Sequence, residues 1–290
     1  HGESAMTNLL SLTIVSPFLA ALVVLALPQR AKLAIRLASL AGALVPCATS
    51  LLLLSRYDAA VGGFQFVTSL PLIPKLGLSW HMGVDGIAVP LVFLTALIHL
   101  TSVFTSWTLK EREKEFFLFV GLLVTGVYGV FISLDLFLFF LFYELAVLPM
   151  YVLIGIWGSS MEIEGQGPFR SLFKKVGVGL KEYGAMKLFL YLLAGSALIL
   201  PAIIYLSVAS GLNTFDLFAL MQAKAFTPFQ QKFAFLFLYL GFGILAGVWP
   251  FHTWSPVGHV AAPTSVSMLH AGVLMKLGAY GILRVAICLC

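Results

Sequence analysis

Two ionisable residues lie inside long apolar segments of this 290-residue chain. Glu144 follows a run of aromatic and aliphatic residues, and Lys276 lies between Met275 and Leu277. Burial away from water disfavours the charged form of both, so the carboxyl group can keep a proton and the ammonium group can give one up. Charges inside a membrane segment usually face protein or water along an ion pathway. We therefore predict that Glu144 and Lys276 handle protons, the alternative for each being a static ion pair.

A proline five residues after Glu144 supports its predicted role. Pro149 has no N–H group for the carbonyl of Leu145, four residues earlier. That carbonyl is left free beside the acid, and a water molecule could bridge the two. The alternative is a structural acid paired with a lysine on a neighbouring helix.

Two histidines flank a stretch that cannot form one continuous helix. His252 and His259 lie among Pro250, Pro256 and Pro263, which interrupt helical hydrogen bonding. Broken helices at membrane depth occur where the backbone lines a cavity or is buried in protein. We predict that both histidines relay protons, the alternative being hydrogen-bonded structural residues.

A third candidate relay, His270, lies six residues before Lys276. In a regular helix the two side chains point about 120° apart with a rise of about 9 Å. They could be steps of one water wire, but they cannot pair directly. His99, in another apolar segment, is predicted to be structural.

The composition indicates that these residues lie in a membrane. Hydrophobic residues make up 60% of the chain and charged residues 10%, against roughly 25% charged residues in a soluble domain. Only helices and closed barrels satisfy their backbone hydrogen bonds in lipid. The apolar runs are continuous rather than alternating, which favours helices over a barrel.

The predicted fold is an all-α, polytopic bundle of about eight transmembrane helices, with a broken seventh helix. About 20 helical residues cross the hydrocarbon core. We interpret residues 1–290 as one membrane domain, in which residues 1–5, before Met6, are an upstream artefact. The predicted spans are 7–27, 33–54, 87–107, 116–134, 136–157, 188–209, 233–251 and 261–288.

Loop charges predict the orientation. Lysines and arginines concentrate in the loops after the first, third and fifth spans, which the positive-inside rule places in the cytoplasm. The N-terminus and the long loop 55–86 are then outside. In the inner loop 158–187, residues 169–178 form either a short basic interfacial helix or a solvated connection.

Several classes of site are excluded. The histidines lack the spacing of metal ligands, and the three cysteines have no CxxC spacing that would suggest zinc or an iron–sulfur cluster. Gly241, Gly243 and Gly247 lie inside an apolar segment, where glycine more often marks close helix packing than a nucleotide loop. The net charge of +5 is explained by membrane topology, so no nucleic-acid partner is predicted.

Three motifs resemble one family. They are FYELAVLPMY at 142–151, the long segment WPFHTWSPVGHVAAPTSVSMLHAGVLMKLGAYGILR at 249–284, and GVDG at 83–86. They are similar to the subunit M, or chain-4, type of membrane subunit in bacterial NADH-quinone oxidoreductase, respiratory complex I. The wider family includes subunits of multi-subunit cation/proton antiporters and of membrane-bound hydrogenases.

The resemblance implies that the chain is the N-terminal part of a roughly fourteen-helix antiporter-like fold with inverted repeats. It matches Glu144 to the family's helix-5 glutamate and Lys276 to its helix-8 lysine. It departs at helix 7, where the family's lysine and proline are replaced by Leu245 and Gly247. His270 is a further departure, because it resembles the antiporter-type relatives more than subunit M.

The predicted function is that of a proton-translocating subunit of a complex I-type enzyme in the bacterial inner membrane. Such a subunit holds no cofactor and does no redox chemistry itself. Its partners are other membrane subunits and lipid, and it is coupled to quinone only indirectly. The alternatives are a subunit of a cation/proton antiporter or membrane-bound hydrogenase, and a non-pumping membrane scaffold.

Overall fold

The computed structural model describes residues 2–160, 179–223 and 226–290, with side chains described from residue 9 onward. Eight helical spans in this part are long and apolar enough to cross a membrane, and each corresponds to one predicted segment. The helical bundle predicted from the sequence is therefore confirmed. In chain order the helices are Gly2–Ala26 (α1), Lys32–Arg56 (α2), Ala88–Thr105 (α3), Glu113–Ile132 (α4), Leu136–Trp157 (α5), Lys181–Ala209 (α6), the short Leu217–Ala223 (α7), Pro228–Ala246 (α8), Trp254–Ala261 (α9) and Thr264–Leu289 (α10).

Helix boundaries differ from the prediction mainly at N-termini. Helix α1 begins at Gly2, upstream of Met6, and α6 begins at Lys181 rather than at 188. Charged side chains near a helix end can extend toward the polar interface, so hydropathy alone places such an end too late. The predicted interfacial helix at 169–178 lies outside the described residues.

Helix α4 forms the centre of the bundle, and 78% of its most apolar 18-residue stretch is buried. It packs on α1 and α5. At Gly126 the backbone of α5 comes so close that a Cβ atom would lie 2.6 Å from the amide nitrogen of Ala146. A similar approach joins α6 to α8, where a Cβ at Gly195 would lie 2.9 Å from the carbonyl oxygen of Gly241. The prediction that Gly241 marks close helix packing is thus confirmed.

The long loop between α2 and α3 contains an antiparallel β-hairpin that sequence analysis did not predict. Its strands are Gln65–Ile73 (β1) and Leu78–Val84 (β2), with Ser69 opposite His81. A 3₁₀ turn and Gly77, whose φ is +67°, reverse the chain. The end of the bundle that carries this hairpin is here termed the hairpin side, and the other end the opposite side.

A buried carboxylate holds the hairpin on the bundle. Asp135, fully buried before α5, accepts hydrogen bonds from the backbone N–H groups of Ser79 (3.0 Å), Phe137 (3.0 Å) and Leu138 (3.1 Å). Burial raises the pKa of Asp135 above its ordinary value, although these hydrogen bonds act to lower it. The same carboxyl group therefore caps α5 and holds strand β2.

The seventh span is broken, as predicted, but its break begins at a glycine rather than at the prolines. Helix α8 ends at Ala246 and is capped by Gly247, whose φ is +70°, a conformation that glycine adopts without strain. A cis peptide bond joins Trp249 to Pro250, and a 3₁₀ turn follows. The buried indole of Trp254 donates to the carbonyl of Ile244 at 2.9 Å, which ties α9 back to α8.

Helix α10 is irregular in two places. Five-residue π-helical turns occupy His270–Leu274 and Ile282–Ala286. A π turn widens the helix locally and often marks a functional site. The sequence estimate of the angle between His270 and Lys276 assumed a regular helix, and it does not hold across the first of these turns.

Candidate functional site

Glu144 meets a serine rather than a cation. Its half-buried carboxyl group lies on α5 and is hydrogen-bonded to the hydroxyl group of Ser196 on α6. Within the described residues, no ion pair involves Glu144. The alternative of a structural acid paired with lysine is therefore not what this part of the chain shows.

The hydrogen bonds of Ser196 depend on whether Glu144 is protonated. Its Oγ lies 3.0 Å from the carbonyl oxygen of Leu192, and the Tyr143 hydroxyl donates to the same carbonyl at 3.3 Å. A hydroxyl group has one hydrogen, and a carbonyl oxygen only accepts. If Glu144 is ionised, the Ser196 hydroxyl group donates its hydrogen to the carboxylate and no longer donates to the carbonyl of Leu192. If Glu144 is protonated, it can donate to Ser196, which then donates to Leu192.

The proline after Glu144 lies inside the helix. Pro149 is within the continuous helix α5, so the carbonyl of Leu145 has no N–H partner at position 149. The helix thus provides an acceptor one residue from Glu144. This arrangement agrees with the sequence prediction of a free carbonyl beside the acid.

Lys276 lies near the middle of α10, as predicted, but its side chain is exposed at the surface of the described chain. Its ammonium group donates to the carbonyl oxygens of Ala271 (3.1 Å) and Gly272 (2.6 Å), both within the first π turn. No salt bridge joins Lys276 to an acid anywhere in the described ranges. Glu144 and Lys276 are therefore separate positions and not a pair.

Two of the three candidate histidines come together. The rings of His259 on α9 and His270 on α10 stack with centroids 4.0 Å apart. His259 Nδ1 lies 3.2 Å from the hydroxyl oxygen of Ser267. His270 is fully buried, and neither of its ring nitrogens has a hydrogen-bond partner among the described residues. His252 lies apart from them, exposed on the 3₁₀ turn before α9.

Both departures in the family's seventh helix, which is α8 in this chain, are visible in the structure. Leu245 is fully buried in α8, at the position where the resemblance places a lysine. Gly247 ends that helix in place of the family's proline. A buried apolar side chain thus stands at the position where the family carries a lysine.

Sequence analysis did not predict a buried ion pair on the hairpin side. Arg284 on α10 is 8% exposed and lies 2.6 Å from Asp85, the acid of the GVDG motif. Its Nε donates to the hydroxyl oxygen of Tyr280 at 3.2 Å. The signal was present in the sequence, since an arginine within an apolar helix requires a partner.

Known proteins match the chain in both sequence and fold. A family model described as "NADH:quinone oxidoreductase/Mrp antiporter, TM" matches residues 171–290. NAD(P)H-quinone oxidoreductase chain 4 2 of Thermosynechococcus vestitus is 35% identical over 92% of this chain and 47% of its own length. NADH-quinone oxidoreductase subunit M of Rickettsia prowazekii is 35% identical over 96% of this chain and 53% of its own length.

Solved structures show the same helical arrangement. A chain of respiratory complex I from Thermus thermophilus with bound NADH aligns with a TM-score of 0.71 at 24% identity, covering 98% of this chain and 53% of that one. A chain of the membrane-bound sulfane sulfur reductase, an archaeal respiratory membrane complex, aligns with a TM-score of 0.73 at 20% identity, covering 97% and 41%.

The fold and the sequence matches define a polytopic helical membrane protein of the antiporter-like class. The chain belongs to the NADH:quinone oxidoreductase/Mrp antiporter family, and the relatives described above are its subunit M and chain 4 members. It spans about half the length of these curated relatives.

Proposed function

We propose that this chain is part of a proton-translocating membrane subunit of a complex I-type NADH-quinone oxidoreductase. Electron transfer to quinone takes place elsewhere in the assembly, and this chain contributes proton-binding side chains but no cofactor. The observation that carries the proposal is the Glu144 carboxyl group, which lies inside a membrane span and is bonded to a hydroxyl group rather than to a cation.

A carboxyl group in this setting can exist in both protonation states. A tight ion pair would hold it ionised, whereas Ser196 can accept from the acid form or donate to the carboxylate. We propose that Glu144 alternates between these two states during turnover. The freed carbonyl of Leu145 offers a place for the water that brings or removes the proton.

Lys276 is the second proposed proton carrier. A charge at mid-span is costly against lipid, so we infer that its exposed face is covered by protein or by water. The greater length of the curated relatives supports cover by further helices of the same subunit. The π turn beneath Lys276 supplies two carbonyl oxygens that hold the ammonium group at the surface of α10.

We propose that His259 and His270 form one relay step. Their stacked rings lie in contact, so the repulsion between like charges limits the pair to one proton at a time. His259 borders an open groove that includes Thr264, Ser267 and Ala271, and Lys276 reaches the carbonyl of Ala271. His252 remains a proposed relay that would need water between it and the pair.

The proposed orientation places the opposite side of the bundle in the cytoplasm. The loops after α1 and α3, which contain Arg30, Lys110 and Arg112, are on the opposite side, which supports a cytoplasmic position for that side. The hairpin side and the N-terminus then face outward from the bacterial inner membrane. The partners are other membrane subunits of the same complex and the surrounding lipid.

Proton pumping in the assembled complex tests the proposal. We expect Glu144→Gln and Lys276→Gln each to assemble but to reduce sharply the number of protons moved per NADH oxidised. The matched control is Glu182→Gln, which changes an exposed acid in the first turn of α6. An unchanged pumping ratio in both test variants would contradict the proposal.

The buried Leu245 favours a second candidate, a non-pumping scaffold. A subunit that lacks the family's helix-7 lysine can lose proton transfer and still contribute packing contacts to the complex. The same experiment separates the two proposals. In a scaffold, Glu144→Gln either prevents assembly of the complex or has no effect. Only a proton carrier loses pumping while the complex stays intact.

A further inference from the structure

A small cavity lies where helices α1, α2, α3 and α4 meet, away from the residues assigned above. Its volume is about 10 Å³, which is close to the least room that one water molecule requires. A lipid chain or a hydrated ion does not fit such a space. Its lining includes Ser39 and Gly42 of α2, His99 of α3 and Gly121 of α4.

His99 is the polar side chain of this lining that lacks a partner. The residue is 2% exposed, and its Nδ1 has no hydrogen-bond partner in the part of the chain that the structure describes. A buried ring nitrogen without a hydrogen bond is unfavourable, and ordered water is a common way of satisfying such an atom. A structural role explains the burial of His99 but not the missing partner of its Nδ1 atom.

Helix α2 provides acceptors at the same place. Pro46 lies inside α2, so the carbonyl of Gly42 receives no N–H group from position 46. The hydroxyl group of Ser39 donates to the carbonyl of Ile35 at 2.9 Å, which leaves its oxygen able to accept. A water molecule would therefore meet a histidine nitrogen, a free carbonyl group and a hydroxyl oxygen.

Two further hydroxyl groups belong to residues that are next in sequence to lining residues. The Oγ atoms of Ser16, beside the lining residue Pro17, and of Ser102, beside the lining residue Val103, are buried and have no partner among the described residues. Ser102 is also one helical turn from His99 on α3. Buried polar atoms without partners are rare in folded proteins, so two more of them on α1 and α3, which both line the cavity, agree with solvent in this region.

Close helix packing explains the size of the cavity. A Cβ atom at Gly42 would lie 2.4 Å from Cβ of Ala20, and one at Gly121 would lie 3.2 Å from the carbonyl oxygen of Pro17. The two glycines bring α2 and α4 against α1 and limit the remaining room to one small molecule. The cavity is thus narrow but lined by polar groups.

We propose that this cavity is a water-binding site in which one ordered water molecule joins His99 on α3 to Ser39 and the Gly42 carbonyl on α2. The site is independent of the Glu144 and Lys276 positions, and it stands whether or not the subunit pumps protons. Its role is to complete the hydrogen bonding of a buried histidine inside the four-helix group α1–α4.

A density map of the assembled complex that resolves ordered waters tests the site directly. We expect one water within hydrogen-bond distance of a His99 ring nitrogen and of at least one acceptor on α2. A dry cavity, or a water that does not contact His99, overturns the proposal. Ser39→Ala should lower the occupancy of that water without removing the cavity.

Thermal unfolding of the purified complex gives a second test. If water completes the hydrogen bonds of His99, His99→Leu loses them and should unfold several degrees lower, whereas His99→Gln retains a polar group and should lose less. If the cavity is dry, leucine removes an unsatisfied nitrogen and is equal to or more stable than the wild type. That second order of stability would contradict the proposal even where the map is ambiguous.

Discussion

Ser196 of α6 is hydrogen-bonded to Glu144 of α5, and no cation pairs with that acid within the described residues. The serine lies at a close crossing of α6 with α8, because its neighbour Gly195 approaches Gly241. A neutral hydroxyl group thus holds the position of the carboxyl group without fixing its charge. The resemblance placed Leu245 where the family carries a helix-7 lysine, and the structure shows a serine hydroxyl group as the partner of Glu144.

We predict that Ser196→Ala reduces coupled proton transfer, whereas Ser196→Thr, which keeps the hydroxyl group, retains most of it. A hydrogen bond to a charged group contributes about 1.5–3 kcal/mol, which corresponds to a rate reduction of roughly tenfold or more. The measurement is proton pumping at matched NADH oxidation. Equal pumping by the alanine and threonine variants would show that the hydroxyl group is not used.

Infrared difference spectroscopy separates this role from a purely structural one. The carboxyl C=O band of protonated Glu144, identified by its loss in Glu144→Gln, should move to higher frequency in Ser196→Ala because the hydrogen bond is gone. A packing defect alone would not move that band. The threonine variant should leave it close to its original position.

A hydrogen bond joins His81 of β2 to Asp216, the residue before α7. It predicts that packing of the hairpin against the bundle depends on pH. Burial acts to raise the pKa of Asp216, but the hydrogen bonds from His81 and the Ala219 amide outweigh it, so the pKa is lowered below its ordinary value. A lowered pKa means that the stabilisation is present above the unfolded value of about 3.9 and is lost as pH falls through the folded value.

Hydrogen exchange of the β2 amides checks this prediction. Protection in the wild type should persist at neutral pH and fall only under strongly acidic conditions. Asp216→Asn should reduce it already at neutral pH, while Asp58→Asn, which changes an exposed acid of the turn before β1, should not. Equal protection in the Asp216 variant and the wild type would show that this hydrogen bond does not hold the hairpin on the bundle.

The sequence allowed the spans and the ionisable residues to be predicted because both depend on local composition. About 20 apolar residues define a membrane helix wherever they occur, and a lone Glu144 within them is conspicuous. Ser196 could not be predicted as its partner, since serine is common in membrane helices and the contact depends on how α5 and α6 pack. The hairpin was missed because β1 is largely exposed and lacks the alternation of a half-buried strand.

Membrane orientation is the third prediction. In a background where Cys47, Cys288 and Cys290 are replaced by serine, a membrane-impermeant maleimide applied to intact cells should label Ser69→Cys on β1. It should label Thr108→Cys, on the opposite side after α3, only after the cells are opened. Both positions are exposed in the structure, so accessibility within the protein does not differ. Labelling of the Thr108 variant in intact cells would reverse the proposed topology.

The Asp85–Arg284 ion pair gives the last prediction, which concerns stability rather than proton transfer. Both side chains are largely buried, at 15% and 8% exposure, so removing one partner leaves a charge that is mostly shielded from water. Breaking a buried pair in this way costs about 3–5 kcal/mol. We expect Asp85→Asn and Arg284→Met each to lower the unfolding temperature of the purified protein substantially.

The double variant Asp85→Asn/Arg284→Met should recover part of this loss, because it leaves neither charge unpaired. The exposed Arg112–Glu115 pair, 4.0 Å apart, serves as the matched control. Surface pairs of this kind contribute about 0–1 kcal/mol, so Glu115→Gln should change little. If the Asp85 and Arg284 variants simply added, with no recovery in the double variant, the two charges would not be coupled. The GVDG acid would then act only as the cap of α3, where it accepts the Ala88 amide at 2.9 Å.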